Sequence, residues 1–145
     1  MNENEVAGAT EALLLTCMDY RFVVHTAHFM ATRGLADKYD HIVLAGASLG
    51  AITSSFHQWN ATFWDHLGLS IRLHHIKRLI VLDHRECGAY REIYGPNCCD
   101  TREKETAVHK TQLEELRRRI NYSPHAGLKV ELCLMDLDGT VEEFF

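Results

Sequence analysis

Four short apolar runs punctuate the chain: Ala12-Leu13-Leu14-Leu15, His41-Ile42-Val43-Leu44-Ala45, Leu79-Ile80-Val81-Leu82 and Leu128-Lys129-Val130-Glu131-Leu132-Cys133-Leu134. Each is rich in Val, Ile or Leu and stops at polar residues or glycine, a pattern that predicts strands buried on both faces of a parallel sheet. The fourth run alternates apolar with charged positions and reads as an edge strand. Between the runs lie three helical stretches. Residues 22–33 are followed by Gly34, a suitable C-terminal stop. Residues 51–75 form a long stretch with a break expected near Gly68. Residues 101–120, dense in Glu, Lys and Arg with Leu113 and Leu116 on one side, end before Pro124. Strand, helix, strand in repetition predicts one α/β domain over residues 1–145, with a mostly parallel central sheet of four to five strands flanked by helices. Functional groups in such sheets gather at the carboxyl ends of the strands.

Composition narrows the class. At 145 residues, 46% hydrophobic and 24% charged, the chain can build one core and is not a disordered tail. Fifteen Lys and Arg against twenty Asp and Glu give a net charge of −5, with no basic stripe to follow a phosphate backbone, so no nucleic-acid partner is expected. No apolar run approaches the roughly 18 residues that span a bilayer. The start, Met1-Asn2-Glu3-Asn4-Glu5, is acidic where a signal peptide is basic, so a cytoplasmic protein without a membrane partner is expected. Five cysteines, an odd number at irregular spacing, argue against a disulfide framework and direct attention to metal or redox chemistry.

The chemistry concentrates after two of the runs. The first leads into Thr16-Cys17-Met18-Asp19-Tyr20-Arg21, the third into Asp83-His84-Arg85-Glu86-Cys87-Gly88-Ala89. His84 and Cys87, three apart, are expected on one side of a helical turn, where they could grip one ion with Cys17. Cys, His and Cys are three protein ligands. They leave the fourth position of a tetrahedral zinc open to water, whose pKa the ion lowers to about 7. Asp19, held by Arg21, could take a proton from that water and orient it. Released from Arg21, it could instead fill the open position and shut the site.

Cys-x-Asp-x-Arg followed by His-x-x-Cys-Gly-Ala resembles the β-class carbonic anhydrase family. Residues 70–89 resemble that family's helix, strand and His-x-x-Cys-Gly segment, and residues 129–141 its last strand and the acidic turn after it. The resemblance implies a β-carbonic-anhydrase-like fold, Zn2+ held by Cys17, His84 and Cys87, and a catalytic dyad of Asp19 and Arg21. It implies a lyase, a carbonate dehydratase that hydrates CO2 reversibly to bicarbonate with a zinc-bound hydroxide. It also implies a homodimer or higher homo-oligomer with the site near the subunit interface. The sequence departs from the family pattern in places. Val43-Leu44-Ala45-Gly46 lacks the Arg and Asn usual in Arg-Asn-Ala-Gly, Asp83 stands where Gly usually precedes the ligand histidine, and Gly8-Ala9-Thr10 lacks the Gln of many plant-type members. The N-terminal arm that commonly wraps the partner is also nearly absent. Relatives with this metal site hydrolyse CS2 or COS, which makes a hydrolase of those heterocumulenes the alternative. A zinc-binding domain without turnover is a third reading: the missing Arg and Asn favour it, and the intact dyad opposes it.

Other residues carry plainer readings. Cys98 and Cys99 follow Gly95-Pro96-Asn97 in a loop and read as exposed thiols, with an accessory metal or redox pair as the alternative. Cys133 belongs in the core. Phe56, Trp59, Phe63 and Trp64 recur at helical spacing and suit a core or dimer face better than a ligand cage. His25, His28, His57, His66, His74 and His75 read as surface or core residues, although one near the mouth of a site could carry a proton. Asp136-Leu137-Asp138-Gly139-Thr140 resembles the nucleophile loop of haloacid dehalogenase-like phosphatases. In that family the loop opens the domain, so Asp136 and Asp138 are read instead as a turn after the final strand.

Overall fold

The computed structural model describes residues 8–145; the expectation drawn from the acidic first five residues lies outside them. The apolar runs become strands β1 (Ala12–Thr16), β2 (Tyr39–Val43), β3 (Arg78–His84) and β4 (Lys129–Met135), and a further strand, β5, covers Val141–Phe144. The helices are α1 (Val23–Thr32), α2 (Ser48–Ile52), α3 (His57–His74), α4 (Gly88–Tyr94) and α5 (Arg102–Asn121), with a 3-10 turn over Tyr20–Phe22. The sheet order is β2-β1-β3-β4-β5. The first four strands are parallel, and β5 runs antiparallel to β4. This is the expected α/β architecture with a mostly parallel sheet.

Alternation along the strands divides the core between the two faces of the sheet. Leu13, Leu15, Leu79, Val81 and Leu132 pack with Phe63 and Leu67 of α3 and with Leu113, Leu116 and Ile120 of α5. Leu14, Ile80, Leu82, Cys133 and Met135 pack on the other face with Phe22 and with Met30 of α1. Local chemistry sets the helix ends. Thr101 accepts the Lys104 N–H at 3.1 Å to cap α5, which has Glu103 and Glu105 in its first turn and Arg118 and Arg119 in its last. Gly34, at φ +74°, donates to the Ala31 carbonyl just past α1. Among the described residues no helix is long and apolar enough to cross a membrane.

Four expectations need correction. First, β4 lies inside the sheet. Its alternation reflects Glu131, whose carboxylate meets Arg33 at 3.0 Å and Arg78 at 3.4 Å, so a charge sits within an inner strand because it is paired. Second, the edges are β2 and β5. Only Ile42 of β2 is buried, so that run does not bury both faces. Third, residues 51–75 are broken at 53–56 and not at Gly68, which lies buried within an uninterrupted α3. Thr53 turns extended after α2, and its hydroxyl accepts the Ser55 N–H at 3.3 Å, a local bond that competes with helix. Fourth, the Asp136–Thr140 turn is a hairpin that joins β4 to β5 and does not follow the last strand.

Gly50 marks where α2 meets the segment after β2. A Cβ there would come within 2.4 Å of the Ala45 carbonyl oxygen and 3.0 Å of Leu44 Cβ, and the backbone atom cannot rotate away. Gly50→Ala is expected to lower unfolding free energy by about 1–3 kcal/mol in urea titration. Gly127→Ala, with nothing within 4 Å of the added carbon, is expected to leave it unchanged or raise it by up to about 1 kcal/mol.

Candidate metal centre

Strand register assembles the site. Thr16, the last residue of β1, pairs with Leu82, so Cys17 leaves the sheet beside His84 at the end of β3. Cys87 follows through a sharp bend and forms the N-cap of α4, so His84 and Cys87 do not share the helical turn expected for them. The bend needs Glu86 at φ +56°, a left-handed conformation costly for a residue with a side chain. The Glu105 carboxylate holds it there by accepting the Glu86 N–H at 2.7 Å.

The donor atoms of Cys17, His84 and Cys87 all lie within 4.8 Å of one another, and the two sulfurs are 4.0 Å apart. His84 Nδ1 donates to the Arg85 carbonyl at 2.7 Å, which leaves Nε2 as the nitrogen with a free lone pair. Nε2 is buried without a hydrogen-bond partner. Phe22 stacks on the imidazole, with ring centroids 4.1 Å apart. An orphaned imidazole nitrogen converging with two sulfurs is a donor set that fits zinc and leaves room for a fourth ligand. The Gly46 N–H donates to Cys17 Sγ at 3.3 Å.

Charge at the site is uneven. A hydrogen bond from the Cys87 thiol, opposed by burial and helped by His84 and the Gly46 N–H, brings the Cys17 pKa down to about 4. Cys87 is pushed the other way, first by the neighbouring Cys17 and then by burial, so the two thiols share a proton and titrate as a pair. Burial works against the charged form of His84, but the contacts with Cys17 and the Arg85 carbonyl outweigh it and raise its pKa.

Asp19 and Arg21 pair as expected. Arg21 donates from Nε to Asp19 Oδ1 at 3.1 Å and from Nη2 to Oδ2 at 2.8 Å, while its backbone N–H reaches Oδ1 at 2.9 Å. Nη2 also donates to the Glu86 carbonyl at 3.0 Å, which ties the dyad to the bend carrying Cys87. Asp19 Oδ2 lies 3.9 Å from His84 Nε2. The Arg21 contacts hold the Asp19 carboxyl at about 2, well below the usual carboxylate range. All five residues singled out in the sequence therefore meet in one place. Beside Cys17 and Asp19 opens a cavity of about 540 Å³, walled by Met18, Ala45, Phe56, Trp59, Ala89 and Ile93.

Several residues depart from their sequence reading. Phe63 and Trp64 join the core, but Phe56 and Trp59 stack at 3.9 Å and form the cavity wall. Cys98 and Cys99 are not exposed thiols: their sulfurs are bonded to each other, and both residues are half-buried against Leu49, Cys87 and Tyr90. Gly95, at φ +90°, turns that loop back on α4. None of the six histidines weighed as proton carriers lines the cavity. His41 does border a smaller recess beside Cys17 and Asp19, bonded to Thr16 Oγ1 at 2.7 Å. Sequence reasoning missed the buried partners of Asp83, namely Ser48, Tyr90 and His109, and those of Arg85, namely Glu105 and Thr106. The available signal was a charged residue continuing an apolar strand, which requires buried partners elsewhere.

Residues 7–123 match the profile of a family described as "Putative carbonic anhydrase". A Rickettsia conorii protein described as uncharacterized is 41% identical over 133 residues, covering 92% of this chain and 71% of that protein. Among solved structures, a tetrameric β-carbonic anhydrase from the ascomycete Sordaria macrospora superposes with a TM-score of 0.63 at 14% identity, covering 94% of this chain and 81% of that one. The Coccomyxa β-carbonic anhydrase in complex with acetazolamide also gives 0.63, at 18% identity, covering 96% of this chain and 74% of its own. At these identities the structural likeness is one of fold.

The thiolate is the nucleophilic form of cysteine, so a pKa of about 4 keeps Cys17 reactive where ordinary thiols are protonated. In metal-free protein at pH 6, iodoacetamide is expected to label Cys17 and to spare buried Cys133, whose pKa burial pushes up to about 12. Peptide mass spectrometry across pH 4–9 checks this. A Cys17 labelling midpoint near 9 contradicts it.

Proposed function

The chain belongs to the family described as putative carbonic anhydrases, and on that footing we propose that it is a zinc-dependent lyase that hydrates CO2 reversibly to bicarbonate. The observation that carries this reading is the convergence of Cys17, His84 and Cys87 beside a carboxylate fixed by Arg21, with Asp19 Oδ2 3.9 Å from the unpaired His84 nitrogen. Cys17, His84 and Cys87 would hold the ion, which supplies a Lewis acid able to lower the pKa of water to about 7.

The protein's own groups do the rest. Both Asp19 oxygens accept from Arg21, so the carboxylate has one orientation and keeps lone pairs to receive a hydrogen bond from the reacting water. At a pKa of about 2, Asp19 is ionised throughout the neutral range and too weak a base to retain a proton there. Its role is to orient the water, and the proton passes on to solvent. The apolar walls formed by Ala45, Phe56, Trp59 and Ile93 suit an uncharged linear substrate and favour departure of an anion. The same walls, and a cavity of about 540 Å³, keep COS or CS2 hydrolysis as the second reading.

We take residues 1–145 as one domain working in a cytoplasmic homodimer or higher homo-oligomer, with no nucleic-acid or membrane partner. Met18, Tyr20, Val23 and Val24, at 71%, 85%, 65% and 80% exposure, place apolar surface next to the dyad that a second copy would cover. Light scattering at micromolar concentration is expected to give a dimer or larger. An active monomer contradicts an obligate assembly.

Metal analysis is expected to find about one zinc per chain, lost on Cys17→Ala, His84→Ala or Cys87→Ala because two remaining ligands cannot fix a tetrahedral site. Full occupancy after Cys87→Ala overturns the ligand assignment. Stopped-flow assays with CO2, COS and CS2 on metal-analysed protein identify the substrate. Asp19→Ala is expected to retain zinc and lose about 10²–10⁴-fold in turnover. Arg21→Ala, which frees Asp19 to turn on the ligand cluster, is expected to be metal-replete and inactive. Wild-type rates for Asp19→Ala on all three substrates would leave the dyad a structural ion pair. No turnover of any of them by zinc-replete wild type would leave a zinc-binding domain without turnover.

A further inference from the structure

The residue before the ligand histidine is a carboxylate with 1% exposure. Asp83 Oδ1 accepts the Ser48 N–H at 3.0 Å. Oδ2 accepts the Ser48 hydroxyl at 2.8 Å, the Tyr90 hydroxyl at 2.6 Å and His109 Nδ1–H at 2.8 Å. Ser48 Oγ and the Tyr90 hydroxyl oxygen are themselves 3.1 Å apart. Four donors around one carboxylate are what its burial demands.

Where the donors come from is more specific than that requirement. Ser48 begins α2 two residues after Gly46, whose N–H meets Cys17 Sγ. Between them Ala47 sits at φ +49°, ψ −103°, a conformation a side-chain-bearing residue keeps only when its surroundings hold it. The two Ser48 bonds to Asp83 are the restraint on its carboxyl side. Tyr90 lies on α4 three residues after Cys87, one turn into the helix that Cys87 caps. His109 lies on α5 one turn after Glu105, which holds the Glu86 N–H. The carboxylate therefore gathers the segments that carry Gly46, Cys87 and the support for Glu86 onto the strand residue next to His84.

We propose that Asp83 is a positioning residue of the metal centre: through Ser48 and Tyr90 its buried carboxylate sets the Gly46 N–H against Cys17 and holds Cys87 beside His84. The proposal rests on Cys17, His84 and Cys87 being metal ligands. It goes further in assigning their placement to a group that touches neither ion nor substrate. A polar knot serving stability alone would leave metal affinity untouched when altered, and a positioning role would not.

The test uses the full chain with Co2+ as the probe, its thiolate charge-transfer and visible bands reporting the ligand set and chelator competition giving the affinity. Tyr90→Phe removes one donor without adding volume, Ser48→Ala removes another, and Asp83→Asn replaces an acceptor oxygen with an amide that faces donors. Each variant, folded by circular dichroism, is expected to bind Co2+ about 10–100-fold more weakly and to shift the visible bands. Asp83→Glu is not expected to rescue affinity, because a longer side chain moves the same oxygens away from Ser48. Ser70→Ala breaks a 2.6 Å bond to Asp40 near the amino end of β2, and it is expected to change thermal stability without changing Co2+ affinity or spectrum. Should Asp83→Asn not fold, Tyr90→Phe and Ser48→Ala decide the question. Wild-type affinity and bands in those folded variants overturn the proposal while the metal assignment stands. Wild-type protein without a Co2+ thiolate band overturns the metal assignment, and this proposal with it.

Discussion

Parallel pairing of β1 with β3 is the constraint on which the site depends. Two sulfurs 70 residues apart in the chain come within 4.0 Å because Thr16 and Leu82 share a register, and a shift of one residue would carry Cys17 away from His84. Burial on both faces of β1 and β3 restrains that register, since a slip of one residue would exchange the residues facing α3 and α5 for those facing α1. β2 extends the same arrangement on the other side of β1, and the segment after it brings Gly46 to Cys17. Three adjacent strands thus release their chains at the same end, where apolar packing stops and soft or charged groups can meet.

Two buried charges flank His84, and each is compensated separately. Asp83 is satisfied by neutral donors and His109. Arg85, also buried, meets Glu105 at 3.1 Å, the Thr106 hydroxyl at 2.8 Å and Glu142 of β5 at 3.4 Å. Removing one member of such a pair strands the other in a poor solvent for charge, which costs more than the pair gains over apolar packing. His84 thus sits between two groups that tolerate little movement. That rigidity suits a site whose donors must keep their distances before any ligand arrives.

The convergence of Cys17, His84 and Cys87 beside an Asp19–Arg21 pair was legible because each half is local: Cys17, Asp19 and Arg21 span five residues, and His84 and Cys87 four, at the ends of recognisable strands. The end of α1 was legible from Gly34, and that of α5 from the Pro124 beyond it, for the same reason. What escaped depends on partners distant in sequence. Glu131 looked like an edge-strand charge because its arginines lie 98 and 53 residues away. Asp83 looked only like an odd substitution, since Ser48 and His109 stand 35 and 26 residues from it. Phe56 and Trp59 followed the same helical spacing as the core residues Phe63 and Trp64, but Phe56 lies in the break at 53–56 and Trp59 in the first turn of α3, where they line the cavity instead.

The antiparallel strand β5 closes one side of the sheet with Val141, Glu142, Glu143 and Phe144. Laying a second β5 antiparallel along the first would bring the acidic pairs of two molecules opposite one another, where like charges repel. Fibrous growth by strand addition is therefore opposed at that edge by the same Glu142 that pairs with Arg85 inside the molecule. One short strand serves both the guarding of the sheet edge and the interior that supports His84.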